Sequence, residues 1–144
     1  MLIGEYTHKL DEKGRVSLPS KFRKELGKKV VVTHGLDRSL FVYTLAEWKR
    51  IAEKLGNLGI GQSGARGFNR FLLAGAVEVD VDSVGRILIP DFLRTFAGLR
   101  GDIVFAGVHS RVEIWSKRLW SEYKRRIEKE ADTLAEQLGE IGAL

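Results

Sequence analysis

The chain is written twice, and no other feature constrains its fold as much. Sliding the sequence by 71 positions lays Asp11-Glu12-Lys13-Gly14-Arg15 on Asp82-Ser83-Val84-Gly85-Arg86, Pro19 on Pro90, Arg23 on Arg94 and Gly27 on Gly98. That makes six identities in the seventeen positions from Asp11 to Gly27, where about one is expected from ordinary composition. Val16, Leu18 and Phe22 fall on the equally apolar Ile87, Ile89 and Leu93. With one residue inserted the register continues at an offset of 72, where Gly35 meets Gly107, Val42 meets Ile114, Tyr43 meets Trp115 and Trp48 meets Trp120. A chain of 144 residues has the size of one ordinary domain, so the repeat is best read as one supersecondary unit used twice in a single body.

Each copy reads as β-β-α-β-β, which gives an α+β fold. Tyr6 to Leu10 and Arg15 to Leu18 are strand-like runs around Asp-Glu-Lys-Gly, with Asp first and Gly last as a type I turn prefers, so a hairpin is expected. In the second copy Val77, Val79 and Val81 alternate with Glu78, Asp80 and Asp82, the period of a strand with one buried face. Pro19 and Pro90 suit the first turn of a short helix, and Gly27 and Gly98 suit its end. Two further strand pairs follow, Val30 to Thr33 with Leu40 to Tyr43 and Ile103 to Ala106 with Val112 to Trp115, joined by turns expected to contain Gly35 and Gly107.

A helix closes each copy. Leu45, Trp48, Ile51, Ala52 and Leu55 share one face in the first; Trp120, Tyr123, Ile127, Ala131, Leu134 and Leu138 do so in the second, which is longer and has the pattern of a helix that packs on another subunit. Between the copies, Gly56 to Gly67 carries five glycines and reads as a connector, and Phe68 to Ala76 as a short helix. The expected division is therefore 1–55, 56–76 and 77–144.

Charge is distributed unevenly between the halves. Residues 1–72 hold 14 Lys/Arg against 7 Asp/Glu, net +7, while residues 73–144 hold 10 against 12, net −2, which together make the +5 of the whole. A basic first half points to an anionic partner such as nucleic acid. The absence of cysteine excludes disulfides, thiolate metal sites and cysteine nucleophiles. The sequence has neither a long apolar run nor a signal-like N-terminus, so neither a membrane span nor secretion is expected, and the default address is the cytoplasm.

The repeated Asp-x-x-x-Arg motif has a mechanical reading. The Asp side chain accepts backbone N–H groups inside its own turn, and the Arg follows the Gly where the strand resumes. The same spacing also suits an Asp–Arg pair that only fixes the turn. Lys9, Lys13, Lys21, Arg23, Lys24, Lys28 and Lys29 crowd the first copy, which favours a phosphate-facing surface over a merely solvated basic face. In such a surface Arg15 and Arg86 would read guanine bidentately, with Lys9, Lys13, Lys21 and Arg23 as anchors, while Asp11, Asp82, Gly14 and Gly85 would shape the loops.

No catalytic constellation emerges. Glu78, Asp80 and Asp82 read as the solvent side of a strand, and the first copy has Thr7, Lys9 and Asp11 at the equivalent places. Gly59-Ile60-Gly61-Gln62-Ser63-Gly64 matches the letters of a dinucleotide fingerprint but follows a helical pattern instead of a strand. His8, His34 and His109 lack a metal-ligand spacing. No enzyme, metal, cofactor or small-molecule substrate is expected.

Two Asp-x-x-x-Arg motifs, each followed by Pro and an Arg-containing short helix, together with Arg66-Gly67-Phe68-Asn69-Arg70-Phe71-Leu72-Leu73-Ala74, resemble the MraZ family of bacterial transcriptional regulators over nearly the whole chain. The resemblance implies an AbrB-like swapped-hairpin barrel in which the two halves form a pseudo-dimer within one chain. It further implies a ring-shaped homo-oligomer on the nucleoid whose motif loops bind G-rich direct repeats in double-stranded DNA. The target implied is the division and cell-wall gene cluster, repressed together with the regulator's own gene. By the same resemblance Arg15 and Arg86 are the motif arginines, Asp11 and Asp82 the motif aspartates, and Lys13 the basic tip of the first loop. The second loop carries Ser83-Val84 in place of Glu12-Lys13, so the first loop is expected to dominate binding, and for Arg86 base reading and a mainly structural role are both open. AbrB-like folds also serve as the DNA-binding half of antitoxins, which provides the rival reading of a protein-interaction module; the doubled unit and the periodic C-terminal helix disfavour it.

Overall fold

The computed structural model describes residues 1–144. The first copy supplies β1 (Leu2–Lys9), β2 (Arg15–Ser17), α1 (Ser20–Leu26), β3 (Lys29–His34), β4 (Leu40–Thr44) and α2 (Leu45–Gly56). After α3 (Ser63–Asn69) and a π-helical turn (Arg70–Ala74), the second supplies β5 (Val77–Asp80), β6 (Arg86–Leu88), α4 (Asp91–Ala97), β7 (Asp102–His109), β8 (Val112–Ser116) and α5 (Lys117–Glu140). The result is a mixed α+β fold with antiparallel strand pairing, a six-stranded sheet in the order β1-β7-β8-β4-β3-β5 and a two-stranded ribbon, β2-β6.

Strand pairing corrects the simple hairpin. The turn itself closes, with Asp11 N–H donating to Arg15 O at 2.8 Å, but the two strands then part. β1 pairs with β7 of the other copy from Leu2↔His109 to Lys9↔Asp102, β5 pairs with β3 from Val32↔Val77 to Lys29↔Asp80, and β2 pairs with β6 about Val16↔Ile87. The physical reason is that an isolated two-stranded hairpin is marginal in water, whereas exchange anchors β1 and β5 in the six-stranded sheet and seats the β2–β6 ribbon on the shared core through Val16 and Ile87. β1 is also longer than its sequence pattern indicates, because Leu2 is buried at its start and all eight of its residues find partners on β7.

One core results from the exchange. Val30, Val32, Leu40, Val42, Ile103, Phe105, Val112 and Ile114 face inward from the sheet, meeting Val16 and Ile87 of the ribbon and Phe22 and Leu93 of α1 and α4. The opposite face of the sheet is covered too: Phe41 and Tyr43 pack with Leu72, Trp48, Ile51 and Leu55, and Trp115 packs with Trp120 and Tyr123 of α5. Burial on both faces explains why β3 and β4 read as continuous apolar runs instead of alternating ones. The duplication extends to the helix caps, since Thr44 accepts from Glu47 N–H and Ser116 from Leu119 N–H, each at 3.1 Å.

Three local expectations change. Gly107 lies inside β7, paired with Gly4 of β1 and Val112 of β8, not in a turn; the close approach of β1, where a Cβ would stand 2.7 Å from the backbone of Leu2 and Ile3, explains the glycine. The connector is partly helical: α3 begins at Ser63 and includes Gly64 and Gly67, despite the cost of glycine in a helix, because the turn that follows seats Leu72 on the sheet. Asp82 falls beyond the end of β5 and belongs to the turn. Glu78 and Asp80 are exposed as expected and flank Lys29 of β3, at 3.8 and 3.7 Å. The fingerprint-like glycines follow α2, not a strand. No helix is long and apolar enough to cross a membrane.

Candidate nucleic-acid interface

The two motif turns are built alike. Asp11 Oδ1 accepts the N–H groups of Lys13 and Arg15, both at 2.9 Å, and its Oδ2 accepts Arg15 Nε–H at 3.0 Å. Asp82 Oδ1 accepts those of Val84 at 3.0 Å and Arg86 at 2.8 Å, and its Oδ2 accepts Arg86 Nε–H at 2.8 Å. Gly14 and Gly85 share φ +84, a backbone region that favours glycine. In each turn the arginine backbone N–H, reinforced by its side chain and by the other amide, holds the carboxyl below the ordinary aspartate range. Asp therefore orients the arginine through Nε, while the Nη groups make no hydrogen bond within the chain.

Register brings the two turns together. In the β2–β6 ribbon Arg15 stands opposite Leu88 and Ser17 opposite Arg86. Strand alternation sends Val16 and Ile87 into the core, where each is 1% exposed, and places Arg15, Ser17, Arg86 and Leu88 on the other face. The two guanidinium side chains are exposed to nearly the same degree, 35% and 36%. Arg86 is thus held and displayed as Arg15 is, and the loops differ in composition instead of geometry: Lys13 at one tip, Val84, 58% exposed, at the other.

Each turn is also supported from the opposite copy. Leu18 N–H donates to Gly85 O and Ile89 N–H to Gly14 O, both at 2.9 Å. Arg23 Nε–H donates to Leu18 O at 2.9 Å, and a Cβ on Gly85 would lie 2.5 Å from Arg23 Cζ. Arg94, paired with Asp91, occupies the corresponding space over Gly14. Arg23, expected among the outward anchors, is half-buried, bonded to Leu18 O of its own copy and lying over Gly85 of the second copy's turn. Sequence reasoning leaves Arg94 out of the site, although its identity with Arg23 across the repeat marks it for the matching position over the other turn. Lys9, Lys13 and Lys21 are exposed, at the end of β1, the tip of the first turn and the start of α1. His34 stacks on Phe71 with ring centroids 4.6 Å apart, and its Nδ1 lies 2.9 Å from Phe71 O, a packing role.

Known proteins share this arrangement of repeats. A family model described as "MraZ protein, putative antitoxin-like" matches twice, over residues 1–71 and 72–139. The chain is 54% identical over 138 residues to the "Transcriptional regulator MraZ" of Caldanaerobacter subterraneus subsp. tengcongensis, covering 96% of each chain. It is 52% identical over 141 residues to that of a Thermoanaerobacter species, covering 98% of this chain and 99% of the relative. To that of Acetivibrio thermocellus it is 47% identical over 142 residues, covering 99% of both. With both copies of the motif matched and relatives aligned end to end, the chain belongs to the MraZ family.

Proposed function

We propose that this protein is a transcriptional regulator that binds DNA through the outward face of the β2–β6 ribbon. The observation that carries the proposal is the register that sets Arg15 and Arg86 as diagonal neighbours, each oriented by its own aspartate, on the face of the ribbon not turned into the core. A two-stranded ribbon fits the DNA major groove, and arginine is the side chain best matched to guanine O6 and N7. In this reading the exposed Lys13, Lys9 and Lys21 neutralise phosphates, which gives affinity without sequence information. Arg23 and Arg94 act behind this face by supporting the turns.

The finer reading rests on the resemblance drawn from the two motifs. The exchanged strands support an AbrB-like swapped-hairpin barrel, divided into a first unit at 1–55, a connector at 56–76 and a second unit at 77–144. The operator is a set of G-rich direct repeats upstream of the division and cell-wall cluster and of the regulator's own gene, which it represses at the nucleoid in the cytoplasm. A homo-oligomeric ring would present identical ribbons at a regular spacing, so that modest contacts to each repeat add through effective concentration. The distal part of α5, beyond the aromatic packing at Trp120 and Tyr123, is exposed along Leu134 and Leu138, as is Ile141 just after it, and suits a contact between neighbours. This role is regulatory and non-enzymatic.

The test is fluorescence anisotropy with a duplex from upstream of the protein's own gene and a scrambled control, across a salt series. Arg15→Ala and Arg86→Ala should each weaken specific binding by about 1–3 kcal/mol and relax sequence preference. Lys13→Ala should weaken both duplexes alike and reduce the salt slope by about one. Equal affinity for both duplexes, indifferent to the arginines, would refute sequence reading by this face.

A further inference from the structure

We propose that Leu88 is a specificity-determining residue of the ribbon, contacting the C5 methyl group of a thymine beside the base contacted by Arg15. The inference rests on the proposal that this face binds DNA. Leu88 is 52% exposed, between Ile87 and Ile89 at 1% and 0%. Alternation along β6 puts it on the same face as Arg86, and the register puts it directly opposite Arg15. The equivalent residue of the first copy is Ser17. The four outward positions of the ribbon are thus two identical arginines, one hydroxyl and one aliphatic side chain, and the pseudo-symmetry of the reading face is broken at Ser17 and Leu88.

An aliphatic group can gain nothing from a phosphate or from the donors and acceptors of a base edge. The one apolar feature on the floor of the major groove is the thymine methyl. Opposite residues of an antiparallel pair have Cβ atoms about 5 Å apart, and successive bases rise about 3.4 Å. Leu88 and Arg15 therefore reach the same or an adjacent base pair, and an arginine on guanine beside a leucine on thymine would read a G/T step. Ser17, beside Arg86, can donate or accept and imposes no such preference.

The experiment uses the whole protein and a duplex from upstream of its own gene, in which each thymine is replaced singly by deoxyuracil, a change that removes one methyl group and leaves base pairing intact. At one position wild type should lose about fourfold in affinity, the worth of one buried methyl-sized group. Leu88→Ser, which copies the first repeat, should bind the thymine duplex about that much more weakly and not respond to the replacement. If wild type binds the duplex specifically but tolerates every replacement, the proposal for Leu88 fails while DNA reading stands. If it prefers the duplex to scrambled DNA at no salt concentration, the DNA reading itself fails. A change in sedimentation of Leu88→Ser, with uracil sensitivity unaltered, would make Leu88 a protein contact and overturn the proposal.

Discussion

Gly85→Ala is the sharpest test of the crossed support between the repeats. Two costs are expected. The backbone at φ +84 is disfavoured for alanine by about 1–2 kcal/mol, of which some is returned because alanine narrows the unfolded ensemble; a net cost of about 1 kcal/mol remains. The new Cβ would also stand 2.5 Å from Arg23 Cζ and Nε. A flexible guanidinium can move away, so the second cost is what Arg23 gives up by moving: its bond to Leu18 O at 2.9 Å, worth about 1–2 kcal/mol for a half-buried charged donor. The total is about 2–3 kcal/mol. Gly98→Ala is the control, because Gly98 sits at φ 62 and ψ 36 with nothing within 4 Å of an added Cβ, and should cost only about 1 kcal/mol. In an Arg23→Ala background the Gly85→Ala cost should fall to the control value, leaving a coupling of about 1–2 kcal/mol. Urea unfolding followed by tryptophan fluorescence at fixed protein concentration measures all four. Equal costs for the two glycines, with Gly85→Ala and Arg23→Ala strictly additive, would refute the crossed support.

Asp11 and Asp82 titrate below their ordinary value of 3.8 in the folded chain. The turn bonds therefore contribute stability in full above that value and lose it as pH falls through the depressed folded value. Carboxyl-carbon NMR should show both residues still ionised when aspartates without such bonds have protonated, and titration of either at the ordinary value would contradict the turn geometry. Thr44→Ala and Ser116→Ala should each cost about 1 kcal/mol in urea unfolding, with Thr44→Ser close to neutral, because each hydroxyl caps a helix N-terminus. Phe22→Ala should cost about 3–5 kcal/mol, since Phe22 is fully buried against the edge of Tyr6 at 5.3 Å between centroids; a loss below about 1 kcal/mol would show that the core beneath the ribbon collapses around the cavity.

What the amino-acid sequence determined by itself was local. The Asp-x-x-Gly-Arg turns, the short helices after Pro19 and Pro90 ending at Gly27 and Gly98, the pairs β3–β4 and β7–β8, and the equivalence of the two copies all follow from turn chemistry, capping and hydrophobic period. Those forces act over a few residues and repeat wherever the residues do. The partner of each strand was decided elsewhere. Nothing local distinguishes β1 pairing with β2 from β1 pairing with β7, because the backbone groups of a strand bond any antiparallel neighbour. The choice comes from the shared core, which buries Val16, Ile87, Phe22 and Leu93 together only when the copies exchange strands. The same holds at the candidate site. Arg15 and Arg86 were legible as displayed arginines, but their adjacency on one face is a consequence of the β2–β6 register. Arg23 shows the difference most plainly: the sequence marks it as a repeated arginine in a basic run, and only the tertiary structure sets it over the glycine of the other copy's turn.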